Sequence, residues 1–262
     1  MPLNLDAYLA RIGYTGPVAC TRDALFGLHA AHASSIPFEN LDIQMGLPIR
    51  LELGAVEEKL VRRRRGGYCF EQNTLFRAAL EAFGFSPVMR EARVRFGAPT
   101  TLPRTHGVHI LTLDGEAWLV DVGFGGEGLL HPVRTDGSVS AQPQGSYRVV
   151  TEGRRSVLQS QRPEGWFDLY ALEPEPVLLV DWEMGNHYTS TYPESRFIAS
   201  LTVQMPTAEA RHVLRGTTYT VSRRGQDTVR ELSSRAELLV LLKEVFGLEL
   251  PQDARFRALP LD

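Results

Sequence analysis

Arg65-Gly66-Gly67-Tyr68-Cys69-Phe70-Glu71 is the stretch on which the reading of this chain turns. It stands directly before Leu75, Phe76, Ala79, Leu80 and Phe83, whose spacing predicts an apolar helix stripe that stops at Gly84. Two glycines followed by a cysteine at a helix start allow close approach of another segment. They also place the thiol among unpaired N–H groups and positive potential. In such a setting a thiol pKa falls from about 8.5 to roughly 3.5–7.5, which supplies a thiolate nucleophile at neutral pH. A small buried apolar cysteine in a first helical turn is the other reading of the same residues. Cys20 lacks a glycine approach and reads as an ordinary side chain.

Outward from this stretch, the period of the apolar residues changes twice. On the N-terminal side, Leu3, Leu5, Tyr8, Leu9 and Ile12 recur at helical spacing, and Thr21 can cap a helix over 22–33. Pro37, within Ile36-Pro37-Phe38-Glu39-Asn40, forces the chain out of that helix. Residues 1–85 therefore read as a helical domain. From Ser86 onward, strands are predicted over 88–96, 108–113, 117–122, 146–151, 156–161 and 167–172, giving a β domain over 86–192. Beyond Pro193, strands over 201–204 and 218–222 and a helix over 236–246, ended by Gly247, suggest a small α/β unit over 193–262.

A thiolate nucleophile needs a histidine base and an orienting carboxylate. Asp114-Gly115 is a strong two-residue hairpin signal, since both residues tolerate the positive φ of a type I′ turn. With that turn Leu113 opposes Glu116 and His109 opposes Val120. His106 and Asp121 then lie diagonally on one face, within reach of each other. A three-residue turn would slip the register by one and exchange His106 with His109. Asp121 interrupts the apolar run Trp118-Leu119-Val120-Asp121-Val122-Gly123, and a buried carboxylate is costly unless paired. It reads either as the partner of an imidazole or as a strand-end carboxylate bonded to backbone. Cys69, His106 and Asp121 are the candidate catalytic residues.

Composition narrows the partners. The 262 residues are 43% apolar and 23% charged, enough for a sizeable core. A formal charge of −3 gives no general attraction to nucleic acid or anionic membrane. Two cysteines are too few for a disulfide scaffold, and no apolar stretch suggests a leader or a membrane span, so a cytoplasmic protein is expected. His29 and His32, like His106 and His109, are spaced by three, but no cysteine or carboxylate set completes a metal site, so none is expected. Gly123-Phe124-Gly125-Gly126-Glu127-Gly128 matches a dinucleotide fingerprint, yet Leu129-Leu130-His131-Pro132 cannot open the required helix. The basic run from Arg62 to Arg65 reads as a solvated face.

The segment around Cys69, together with Ile36-Pro37-Phe38-Glu39-Asn40-Leu41, Thr105-His106, Val120-Asp121-Val122-Gly123-Phe124-Gly125 and Gly185-Asn186-His187-Tyr188-Thr189-Ser190-Thr191, resembles the arylamine N-acetyltransferase family. The likeness spans the chain to about residue 205 and is loose beyond it. It implies an α+β, three-part fold similar to that of cysteine proteases: an N-terminal helical bundle, a central β-barrel and a C-terminal α/β lid. It implies Cys69, His106 and Asp121 as the triad. The implied chemistry is ping-pong transfer from acetyl-CoA to arylamines and arylhydrazines, and O-acetylation of N-hydroxyarylamines, with no metal. Phe38 and Phe124 are implied to line the acceptor pocket, Thr105, Gly125 and Gly126 to approach the pantetheine of coenzyme A, and Arg65 to pair with Glu39. Cys20 and His109 match no functional position of the family. Three alternatives stand beside this reading: a macrolactam-forming amide synthase of the same fold with a carrier-bound acyl chain, a cysteine hydrolase, and a binder of acyl-thioesters without turnover. The acceptor amine, the acyl-chain length and the oligomeric state are open at this level.

Overall fold

The helix that carries Cys69 is held between two layers of structure. The computed structural model describes residues 2–98, 101–223 and 225–259. Its first part is helical: α1 (Leu5–Ile12), with the Asn4 side chain accepting the Ala7 N–H at 3.1 Å, and α2 (Arg22–Ser35), capped by Thr21 as the sequence predicts. A two-residue strand β1 (Phe38–Glu39), short helices α3 (Leu41–Gln44) and α4 (Leu53–Glu57), and a π-helical turn Glu58–Arg62 lead to α5 (Cys69–Ala82). Gly84, at φ 88°, follows the end of α5. Leu75, Phe76, Ala79 and Leu80 of α5 pack on Tyr8, Leu25 and Leu28 from the helices and on Trp118 and Val120 from the strands. Burial at about 25 cal/mol per Å² of apolar surface fixes the helix from both sides.

Eight antiparallel strands follow: β2 (Val88–Val94), β3 (Arg104–Leu113), β4 (Glu116–Val120), β5 (Val133–Arg134), β6 (Ser140–Gln142), β7 (Gly145–Glu152), β8 (Arg155–Arg162) and β9 (Gly165–Leu172). They are ordered β5-β4-β3-β2-β9-β8-β7-β6, and β5 lies against β7, so the sheet curls into a nearly closed barrel. Ala92, Val108, Leu119, Leu158, Leu169 and Tyr170 fill it. The β3–β4 hairpin has the predicted two-residue turn, with φ 52° at Asp114 and 79° at Gly115. Its register runs from Leu113↔Glu116 to His109↔Val120, and there β4 stops, so Asp121 leaves the sheet instead of pairing.

The chain continues through α6 (Leu179–Thr191), α7 (Arg196–Ala199), β10 (Thr202–Pro206), β11 (Arg211–Arg215), β12 (Thr218–Arg223), β13 (Gln226–Glu231) and α8 (Arg235–Phe246). Gly247 ends α8 at φ 65°, as predicted. The second sheet is ordered β1-β10-β11-β12-β13. Two features depart from the sequence reading. A 13-residue helix, α6, lies within 86–192, the stretch read as a β domain with no helix assigned; its buried side is Trp182, Gly185, Asn186 and Thr189, while Val180 and Met184 face outward. No apolar stripe marks it. The other departure is β1, which pairs across the molecule as the edge strand of the second sheet, Phe38↔Gln204 and Glu39↔Val203. Among the described residues, no helix is long and apolar enough to cross a membrane.

Candidate active site

Cys69 is the first residue of α5, and the loop before it is fastened on every side. A Cβ at Gly66 would collide with the Pro37 carbonyl oxygen and would lie 2.7 Å from the Glu39 side chain, so only glycine lets the two segments touch. The Gly67 N–H donates to Pro37 O at 3.2 Å, and the Glu39 N–H to Gly67 O at 3.0 Å. The Gln72 amide donates to Ile36 O, Pro37 O and Gly67 O at 3.1, 2.9 and 3.2 Å. Its oxygen accepts from His32 Nε2 at 2.7 Å, which leaves Nδ1 of that ring to accept the Tyr8 hydroxyl at 2.8 Å. Arg65 is ion-paired to Glu39 at 2.8 Å and to Asp42 at 2.9 Å, while Arg62, Arg63 and Arg64 are exposed. Lys59 links Asp42 to Glu71, 2.7 Å from each, and Glu71 accepts the Tyr68 N–H at 3.1 Å. Every buried charge here has a partner, as burial demands.

His106, on β3, meets Asp121 just past the end of β4, with Nε2 donating to Oδ2 at 2.8 Å. Asp121 is fully buried and accepts three further bonds: Tyr170 OH on Oδ2 at 2.8 Å, and Asn73 Nδ2 and the Gly123 N–H on Oδ1 at 2.9 and 2.8 Å. Burial would raise its pKa, but the charge of His106 and these hydrogen bonds hold it at about 2. Burial would likewise lower the pKa of His106. The Asp121 charge and hydrogen bond, joined by the hydrogen bond and charge of Cys69, push it up to about 10. The Cys69 thiol also donates to Thr105 O at 3.7 Å. A Cβ at Gly123 would lie 2.8 Å from Cys69 Cα and from Asn73 Nδ2, so the loop after Asp121 rests directly on the start of α5.

The thiol opens into a cavity of about 200 Å³ lined by Phe38, Thr105, His106, Phe124 and Phe197, among others. Phe124 stands edge-on to His106 at 5.2 Å. Of the predicted site residues, Cys69, His106, Thr105, Phe38 and Phe124 thus converge, with Asp121 behind the imidazole. Gly125 and Gly126 lie beside them instead of on the cavity wall. Gly125 packs on the Phe38 ring, and Gly126 donates to the Gln204 side chain and borders a second hollow with Arg211 and Arg215. The fingerprint glycines form a loop that leads to β5, not to a helix. His109 points the other way, 5.3 Å from the Trp182 ring, where burial pulls its pKa down to about 3. Cys20 is exposed, and both cysteines are free. Among the described residues no cluster of metal-ligating side chains occurs.

Asn73 and Tyr170 escaped the sequence reading. Asn73 had a legible signal, since it follows Cys69 by four residues and so shares its helix face. Tyr170 arrives from β9, across β2 in the barrel order, and nothing local marks it.

A thiol at a helix start beside an imidazole held by a buried carboxylate is the arrangement of enzymes that carry acyl groups on cysteine. A family model described as N-acetyltransferase matches residues 21–255. An arylamine N-acetyltransferase of Mycolicibacterium smegmatis is 38% identical over 257 residues, spanning 95% of this chain and 94% of its own. An arylamine N-acetyltransferase / N-hydroxyarylamine O-acetyltransferase of Salmonella typhimurium is 40% identical over 195 residues, 74% of this chain and 69% of its own. The solved structure of Mycobacterium marinum arylamine N-acetyltransferase in complex with CoA superimposes with a TM-score of 0.89 at 36% identity, covering 93% of this chain and 92% of that one. The chain belongs to the arylamine N-acetyltransferase family.

Proposed function

We propose that this protein transfers the acetyl group of acetyl-CoA to the nitrogen of arylamines and arylhydrazines, and to the oxygen of N-hydroxyarylamines, through an acetyl-cysteine at Cys69. The observation that carries this reading is the meeting of Cys69 and the His106–Asp121 pair in one aromatic-walled cavity. The Cys69 thiolate attacks the thioester carbonyl, and N–H groups at the start of α5, which have no partner within the helix, stabilise the oxyanion. The C–S bond to coenzyme A breaks, and the leaving thiolate takes a proton from the His106 imidazolium. Acetylation also removes the Cys69 charge and hydrogen bond, two of the influences that raise the His106 pKa. His106 is thereby readied as the base that takes the proton of the attacking amine, while Asp121 fixes its tautomer. The Cys69 thiolate leaves and the N-acetyl product forms.

Phe38 and Phe124 are the proposed walls for a flat acceptor. Thr105, Gly125 and Gly126 are proposed to approach the pantetheine arm, an assignment supported by the two bare glycines that stand between Phe124 on the cavity and Glu127 on the neighbouring hollow. The chain divides, in this reading, into 1–85 with the nucleophile, 86–192 with His106 and Asp121, and an α/β lid over 193–262. Small molecules are its partners, and two free cysteines suit a reducing cytoplasm.

Intact mass after mixing the protein with acetyl-CoA alone tests the proposal. One stable acetyl group is expected, absent in Cys69→Ala and discharged by an arylamine. An adduct lost to water at once would instead mark a hydrolase, and no adduct at all would exclude acetyl-CoA as donor.

A further inference from the structure

We propose that Arg211 is a positioning residue for the acetyl donor: it holds the turn Gly125–Gly128 in the shape over which the pantetheine arm reaches Cys69. The inference rests on the acetyl-transfer reading and deepens it by naming what fixes the donor's path. Four of the six residues from Gly123 to Gly128 are glycine, so ordering this stretch costs much backbone freedom. Gly125 and Gly126 take φ 69° and 30°, and within the turn the Gly128 N–H donates to Gly125 O. The other fastenings come from side chains distant in sequence. The Gly126 N–H donates to the Gln204 side chain, and Glu127 accepts from Ser160 and Arg162. Arg211 donates to Gly126 O and, at 3.2 Å, to Gly128 O.

Arg211 opens β11, in the second sheet, and is buried. Its guanidinium meets three neutral oxygens: the two turn carbonyls and, at 3.1 Å, the hydroxyl of Tyr147, a buried residue of β7 in the barrel. A rigid fork of N–H donors sets two carbonyls at a fixed spacing, which a single flexible ammonium does not. One side chain thereby ties the second sheet, the barrel and the turn together. The turn matters to the donor through its neighbours. Phe124, just before it, walls the cavity of Cys69, while Glu127 and Arg211 border the hollow beside it. Gly125 rests on the Phe38 ring, where a Cβ would come within 2.9 Å. A cavity of about 200 Å³ is too small for the whole of acetyl-CoA, so the arm must leave over its rim. With Gly125 O, Gly126 N–H and Gly126 O already bonded, the two glycines present bare Cα atoms there, placed by what holds their carbonyls.

Three donors separate a held turn from a direct contact with phosphate. Acetyl-CoA brings the arm and the phosphates, S-acetyl-N-acetylcysteamine only the end of the arm, and p-nitrophenyl acetate neither. In a ping-pong reaction the donor's kcat/KM reports the first half alone, so the acceptor drops out. The kcat/KM of each thioester, divided by that of p-nitrophenyl acetate, is expected to fall about tenfold in Arg211→Met, by a similar factor for both thioesters, and to return partly in Arg211→Lys. Loss of folded protein lowers all three donors alike and leaves these ratios where they were. Unchanged ratios in Arg211→Met would overturn the proposal, and so would a fall confined to acetyl-CoA, which marks a phosphate contact. If acetyl-CoA leaves no acetyl group on Cys69 of the parent, the transfer reading fails by itself, and hydrogen exchange still reads what Arg211 holds. Peptides covering 123–130 are expected to exchange faster in Arg211→Met, and those covering 70–82 are not. Equal exchange over 123–130 in the two proteins would sink the role of Arg211.

Discussion

At the scale of single residues, the site is decided by how Asp121 is held. Four donors converge on one buried carboxylate, from α5, β3, β9 and its own loop. Tyr170→Phe removes one without opening a cavity and is expected to cost about 1 kcal/mol and to lower kcat less than about tenfold. Asn73→Ala removes a donor that also serves Gly107 O at 2.7 Å and leaves that carbonyl bare, so unfolding in urea should register about 1–3 kcal/mol. The pH dependence follows from the same pair. Asp121, held at about 2 against an ordinary 3.8, contributes stability that is present above 3.8 and is lost as pH falls through 2. His106, raised from 6.5 to about 10, contributes stability that is full below 6.5 and is lost as pH rises through 10. The urea midpoint gap between the parent and His106→Gln should therefore narrow as pH climbs from 6.5 to 10. A gap constant over that range would contradict the pairing. His106 and Asp121 were legible because an Asp-Gly turn fixes register over several residues. Tyr170 was not, because strand order across a barrel leaves no mark on local sequence.

At the scale of elements, the start of α5 is positioned by contacts rather than by its own propensity. The loop at Gly123 touches Cys69 Cα, and because that neighbour is backbone it cannot swing away. Gly123→Ala is expected to cost about 1–3 kcal/mol by overpacking. Displacement of the thiol by as little as 1 Å should lower kcat by roughly a hundredfold. Steady-state rates alongside urea unfolding separate the two effects, and a variant with normal kcat would show that the contact does not position Cys69. Helices α2, α5 and α8 were readable from caps and terminal glycines, which are local devices. α6 was not, because Gly185, Asn186 and Thr189 form much of its buried face, and Gly185 lies against the Phe70 ring and the Arg104 carbonyl. β13 was equally silent, since all its residues are exposed and no alternation between faces survives.

At the scale of the whole molecule, the two ends of the chain complete each other's structure. β1 comes from the helical part yet closes the second sheet against β10, some 160 residues later. The Asn40 side chain donates to Phe197 O and Ser200 O and accepts the Thr202 N–H, each at 2.8 Å, while Leu41 is buried with Leu201, Val203 and Leu214. No periodicity could announce this, because pairing at such separation is a property of the folded chain. It has a consequence for the site: Phe38, in β1, and Phe197, held by Asn40, are both cavity walls. A chain ending at residue 192 would leave the β1 edge unpaired and Leu41 exposed, and would lack both Phe197 and Arg211. It is expected to lose cooperative unfolding and to take up no acetyl group from acetyl-CoA. Asn40→Ala, a milder cut of the same link, should cost about 1–3 kcal/mol and weaken acceptor binding more than acetylation of Cys69. If the shortened chain unfolded cooperatively and still acetylated Cys69, residues 193–262 would be a separable cover. Loss of both would make the second sheet part of what holds the N-terminal half in its working shape.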